Sequence, residues 1–253
     1  FDIGWLELKP AAAGAAITYI DTAADVVPGT RVVEYRIGRI SGQIVSDILL
    51  NHNGGNLVIG HLDLPGDSVA RDTFQIALLG GGDLTILGGV VAGGSSDLFV
   101  FDAADSDLTV KNFRIPSVGD GARILGSLAA VLTNTTAVRF EDCFLSADSA
   151  AGAADEIIEC LGAGASAPSF AFRRCRIEAL AGSAGSDAIS LLNANLILED
   201  TVIQQVVTTL ACINFGASTF ASAFEWIGRC QLDSAATVNG RALVVVDDAQ
   251  NTL

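Results

Sequence analysis

Six carboxylates, Glu141, Asp142, Asp155, Glu156, Glu199 and Asp200, stand near Arg173 and Arg174 in the middle of the chain. Glycoside hydrolysis needs two carboxylates facing each other across a groove, about 5–9 Å apart. Glu141, Asp155 and Glu156, with Arg173 beside them, are the residues placed to supply that chemistry. The same side chains serve equally well as solvated turn residues, because Asp and Glu make up 29 of the 253 positions.

Other chemistries lack their residues. The five cysteines (Cys143, Cys160, Cys175, Cys212, Cys230) show no C-x-x-C spacing, and histidine occurs only at His52 and His61, so no structural zinc set is expected. Gly80-Gly81-Gly82 and Gly93-Gly94 read as turns, since neither leads into a Gly-Lys-Ser/Thr sequence opening a helix. No Gly-x-Ser-x-Gly elbow with a suitable histidine is present. His52 and His61 read as structural or surface residues. The net charge of −15, with lysine only at Lys9 and Lys111, repels nucleic-acid phosphates and favours solubility. It also opposes polyanionic sugars unless cations bridge them. The longest apolar runs, such as Ala242 to Val246, are too short to span a bilayer, so no membrane insertion is expected. The chain opens at Phe1 without an initiator methionine and reads as processed or partial, so a missing leader carries no information.

The elements that would position these side chains repeat along the sequence. An alternating apolar segment, a polar turn and a further apolar residue recur at Leu57, Leu84, Leu108, Val138, Phe170, Leu196 and Phe224. These starts lie 24 to 32 residues apart, with a mean of about 28. A second short apolar segment precedes most of them, for example at 98–101, 157–161 and 188–192. Each period therefore holds two or three short strands separated by Gly, Asp, Asn and Ser. Only Ala11 to Tyr19 is a helix candidate, and it could cap an end.

Alternation places Leu108 and Val110, Val138 and Phe140, Phe170 and Phe172, and Leu196 and Leu198 on one face. One repeat cannot bury that face alone. Stacked repeats close a continuous core at a spacing of roughly 4.8 Å. The fold expected is all-β, a parallel β-helix of about eight coils over residues 31–253, with residues 1–30 as an N-terminal cap or linker. A β-sandwich or jelly roll is the lesser alternative. Aligned repeats stack Phe113, Cys143, Cys175, Thr201 and Cys230 in the core, either as reduced thiols or with a Cys143–Cys175 disulfide. One position earlier, Asn112, Asp142, Arg174, Asp200 and Arg229 form a polar ladder in which arginines pair with carboxylates.

Several of these segments resemble the pectate lyase superfamily of right-handed β-helices over roughly residues 30–200. The likeness is carried by Arg31-Val32-Val33-Glu34-Tyr35, Ser41-Gly42-Gln43-Ile44 and Asn56-Leu57-Val58-Ile59-Gly60, the last similar to N-L-T-I-x-G. It continues in Val138-Arg139-Phe140-Glu141-Asp142-Cys143-Phe144, similar to W-I-D-H-C-S, and in Asp155-Glu156-Ile157-Ile158, similar to T-D-E-V. The resemblance implies right-handed winding and a Ca²⁺ ion held by clustered carboxylates, here Asp142, Asp155 and Glu156, with an arginine taking the sugar C5 proton. Two departures stand out. Asp142 replaces the family's histidine, and Glu178 to Asp187, where an R-x-P-x-x-R element is due, contains neither Arg nor Pro. The expected function is a structural or adhesive surface protein, such as a phage tail spike or another virion protein, with a degenerate lyase site. It would lie on the virion or cell exterior and bind host polysaccharide as a homo-oligomer, trimer favoured, or beside other virion proteins. The alternatives are a polysaccharide lyase or glycosidase, and a bacterial surface or autotransporter passenger domain.

Overall fold

The structure, a computed structural model, describes residues 1–8, 18–22, 34–42, 47–64, 74–78, 82–91, 98–101, 106–116, 124–127, 136–148, 157–162, 167–180, 187–205, 211–215, 223–234 and 244–246. Strands make up all the regular structure among these residues, and none is helical. They form two sheets, and every strand pairing is parallel. The arrangement is consistent with a β-solenoid-like fold.

The smaller sheet runs in chain order through Thr18–Thr22, Asp47–His52, Phe74–Leu78, Phe99–Phe101, Leu125–Ser127, Ile158–Leu161, Ile189–Leu192, Ile213–Phe215 and Val244–Val246. The larger sheet starts with three long strands, Asp2–Leu8, Glu34–Gly42 and Gly55–Leu64. Beyond them it divides into two rows. One row holds Gly82–Ile86, Ser106–Lys111, Ala137–Glu141, Ser169–Arg173, Asn195–Glu199 and Phe224–Ile227. The other holds Gly89–Val91, Phe113–Ile115, Phe144–Asp148, Arg176–Leu180, Val202–Gln205 and Gln231–Ser234. The chain thus visits the smaller sheet and then the larger one in each repeat.

The N-terminal segment departs from the expected cap. Asp2–Leu8 pairs with Glu34–Gly42, and Thr18–Thr22 pairs with Asp47–His52, so the first 22 residues add a strand to each sheet. Thr18 and Tyr19, at the end of the helix candidate, are extended, and Ala11 to Ile17 lie outside the described residues. The smaller sheet accordingly has nine strands among the described residues, where eight repeats were expected. The reason is physical: Ile3, Leu6 and Leu8 repeat the inward apolar pattern of Ile37, Ile40 and later strands, and burial decides the pairing.

The inward face is as the alternation requires. Leu108, Val110, Val138, Phe140, Phe170, Phe172, Leu196 and Leu198 are all fully buried. Aromatic rings tie neighbouring repeats together: Phe140 stacks on Phe172 at 5.3 Å and 8°, and Phe99 meets Phe140 edge-on at 6.0 Å.

His52 shares this interior, fully buried in register with Leu78. Burial pushes its imidazole below the ordinary value of 6.5, against the opposing pull of a hydrogen bond with the Gly55 backbone. A folded-state pKa below the unfolded one means the unfolded chain binds the extra proton. The fold should therefore hold its full stability above pH 6.5 and lose some as pH falls from there through the folded pKa. Melting temperature followed from pH 8 to about pH 5 should drop in the wild type and stay flatter in His52→Leu; parallel profiles would contradict this.

Candidate functional site

Glu141, Asp142 and Arg173 sit where the larger sheet bends from one row to the next. Asn112, Asp142, Arg174 and Asp200 take φ of 47°, 56°, 51° and 47° at equivalent bends. Asn and Asp tolerate this left-handed conformation, whereas arginine adopts it rarely. Arg174 is held there by a two-pronged contact: its Nε donates to Asp142 Oδ1 at 2.7 Å and its Nη2 to Asp142 Oδ2 at 2.9 Å.

Arg229 does not belong to this ladder. The last repeat has one extra residue, so Gly228, with φ of 72°, takes the bend position opposite Asp200. The Arg229 backbone N–H instead donates to Asp200 Oδ1 at 2.7 Å.

One residue before the bend runs a second ladder, with Lys111, Glu141, Arg173 and Glu199 in direct register. Lys111 Nζ lies 2.8 Å from Glu141 Oε2, and Arg173 Nε lies 3.1 Å from Glu199 Oε2. The expectation that the arginines pair with ladder carboxylates therefore holds. The hydrogen bond from Lys111 holds Glu141 below the usual carboxylate range, and Arg174 does the same for Asp142. In return Asp142 raises the pKa of Arg174. Both carboxylates stay ionised at neutral pH, which suits an ion-pair ladder and not a general acid.

Three of the predicted residues, Glu141, Asp142 and Arg173, come together on two adjacent strands and their bends. Asp155 and Glu156 lie outside the described residues. For a Ca²⁺ site, Asp142 offers two oxygens that are already engaged by Arg174. Among the described residues no group of three or more His, Cys, Asp or Glu could hold a metal ion.

Beneath the ladders the core stack forms as expected. Phe113, Cys143, Cys175 and Thr201 are buried, and Cys230, opposite Thr201, is partly buried. Cys143 and Cys175 are free thiols. Each donates to two carbonyls: Cys143 to Glu141 and Val110 (3.2 and 3.5 Å), Cys175 to Arg173 and Phe140 (3.3 and 3.4 Å). Thr201 repeats the pattern toward Glu199 and Phe172 at 3.0 and 2.9 Å. The Glu141, Arg173 and Glu199 carbonyls each also accept a backbone N–H from the neighbouring strand, so the small side chain supplies a further donor at the bend.

A second carboxylate pair escaped the sequence reading. Asp83 and Asp107 face each other in register on neighbouring strands. Burial, then the charge of Asp107, pushes the Asp83 carboxyl above its usual range, with Arg139 acting against both. Asp107 Oδ1 accepts the Ala137 N–H at 2.7 Å, and its Oδ2 lies 4.0 Å from Arg139 Nη1. Asp83 lines a shallow groove with Glu34, Arg36, Asn56 and Thr85. The available signal was the repeated tripeptide Asp-Leu-Thr at 83–85 and 107–109.

Comparison of the chain with protein-family models, curated proteins and solved structures finds no match. No helix among the described residues is long and apolar enough to cross a membrane.

Proposed function

We propose that this chain is a right-handed parallel β-helix, a stiff structural or adhesive rod of the tail-spike kind. Its place is the exterior of a virion or cell, as a homo-oligomer that binds host polysaccharide. One observation carries the reading: the three candidate site residues among the described ones are held in ion pairs, Glu141 with Lys111, Asp142 with Arg174 and Arg173 with Glu199. A carboxylate neutralised by a fixed cation is poor at holding Ca²⁺, and an arginine ion-paired with a carboxylate is poor at accepting a proton. The long parallel sheets supply rigidity, and their outer faces offer alternating charge and amide groups to hydroxyl-rich ligands. The viral assignment rests on analogy of fold.

A second reading, a glycoside hydrolase, is favoured by Asp83 and Asp107. Burial and the neighbouring Asp107 push Asp83 toward the protonated form that a general acid needs, and Asp107 Oδ2 lies 4.0 Å from Arg139 Nη1. Incubation with a panel of bacterial and plant polysaccharides, with and without Ca²⁺, separates the readings. The rod reading expects glycan retention without shortening of any chain, and a trimeric mass by sedimentation. Shortened chains with new reducing ends, lost in Asp83→Asn, would replace it with the hydrolase. Unsaturated products, lost on chelation or in Asp155→Ala, would restore the lyase.

A further inference from the structure

We propose that Cys143 and Cys175 form a redox-closable cross-link between two neighbouring strands of the larger sheet. The pairings on either side, Glu141 with Arg173 and Phe144 with Arg176, leave the two cysteines opposite each other. Strands so paired run about 4.8 Å apart, inside the Cα separation of roughly 4.4–6.8 Å that a disulfide spans. Asp142 and Arg174, just before them, have nearly the same φ, 56° and 51°. The two Cα–Cβ bonds are therefore close to parallel, and the Cβ atoms need approach by only about 1 Å to reach the usual disulfide span. The stack also isolates them as a pair, since Phe113 precedes Cys143 and Thr201 follows Cys175.

Closure takes two thiol–disulfide exchanges. One thiol of the pair loses its proton to solvent and displaces one thiolate from a low-molecular-weight disulfide, forming a mixed disulfide. The other then gives up its proton and attacks that protein sulfur, releasing the second small thiol. Two protein thiols are oxidised and one small disulfide is reduced to two thiols. Cys212 does not compete, because burial pushes it up to about 11. Both cysteines are 3% exposed, so closure proceeds during folding or local opening, and the closed link resists reduction for the same reason.

The test is refolding of the full chain in a reduced and oxidised glutathione buffer, followed by alkylation, intact mass and peptide mapping. The expected result is the loss of two of the five thiols, a linked Cys143–Cys175 peptide, and a melting temperature roughly 5–15 °C above that of the reduced protein. Cys143→Ser keeps a donor for the Glu141 and Val110 carbonyls, so it should fold and lose the response to oxidation. Five thiols remaining, a link through another cysteine, or an equal gain in Cys143→Ser would overturn the proposal.

Discussion

Phe172→Ala should lower the free energy of unfolding by about 3–5 kcal/mol, read as a shift in urea midpoint at constant slope. Phe172 is fully buried, and its ring lies flat on Phe140 at 5.3 Å. Removing it deletes the transfer energy of the ring and opens a cavity against Phe140. The cavity cannot collapse readily, because strands above and below are held at their hydrogen-bonded spacing. Phe140 itself touches Phe99, so the loss is felt two repeats away. Phe172→Leu should cost much less, since the same inward position is Ile86, Val110 and Leu198 in other strands of the row. An alanine variant within about 0.5 kcal/mol of wild type, the range of a surface change, would mean that this face is not the core.

Gly89→Ala should cost about 3 kcal/mol or more, through the backbone and not through packing. At Gly89 φ is 148°, and an added Cβ would stand 1.9 Å from the Leu62 carbonyl oxygen. No side-chain rotation relieves a clash with a neighbouring strand's backbone. The strands must part, which adds lost ladder bonds of about 1 kcal/mol each to conformational strain of about 1–3 kcal/mol. Gly82→Ala should behave similarly, with φ of 150° and the Gly55 carbonyl oxygen at 2.3 Å. Gly4→Ala is the control: nothing lies within 4 Å of its Cβ, and a change within about 0.5 kcal/mol is expected. Equal thermal melts for Gly4→Ala and Gly89→Ala would show that the close approach of strands at Gly89 is wrong.

Both variants rest on features of unequal visibility. The alternation that buries Phe172 is plain in Phe170-Ala171-Phe172, and so is the recurrence of such segments. The burden on Gly89 is not visible, because the atom it would strike belongs to Leu62, 27 residues earlier. The first strand was missed because Asp2–Leu8 carries an exposed Trp5 between its inward residues, which blurs the pattern. The frame error at Arg229 has a similar cause. A one-residue insertion leaves the composition unchanged and moves the bend to Gly228.

By itself the sequence determined which residues face inward, that strands recur with a period near 28, and that Cys143, Cys175 and Thr201 share one stack. Those properties follow from local alternation and from counting, and burial enforces them. Beyond the Asp142–Arg174 ladder, tertiary structure alone decided which charges meet. Lys111 lies 30 residues from Glu141, and Arg173 lies 26 from Glu199, yet each pair is in contact. Asp83 and Asp107 became neighbours in the same way. Parallel register sets every one of these pairings. It converts a separation of one repeat along the chain into one strand spacing across the sheet, so a carboxylate is a site or a closed ion pair according to what the next repeat places beside it.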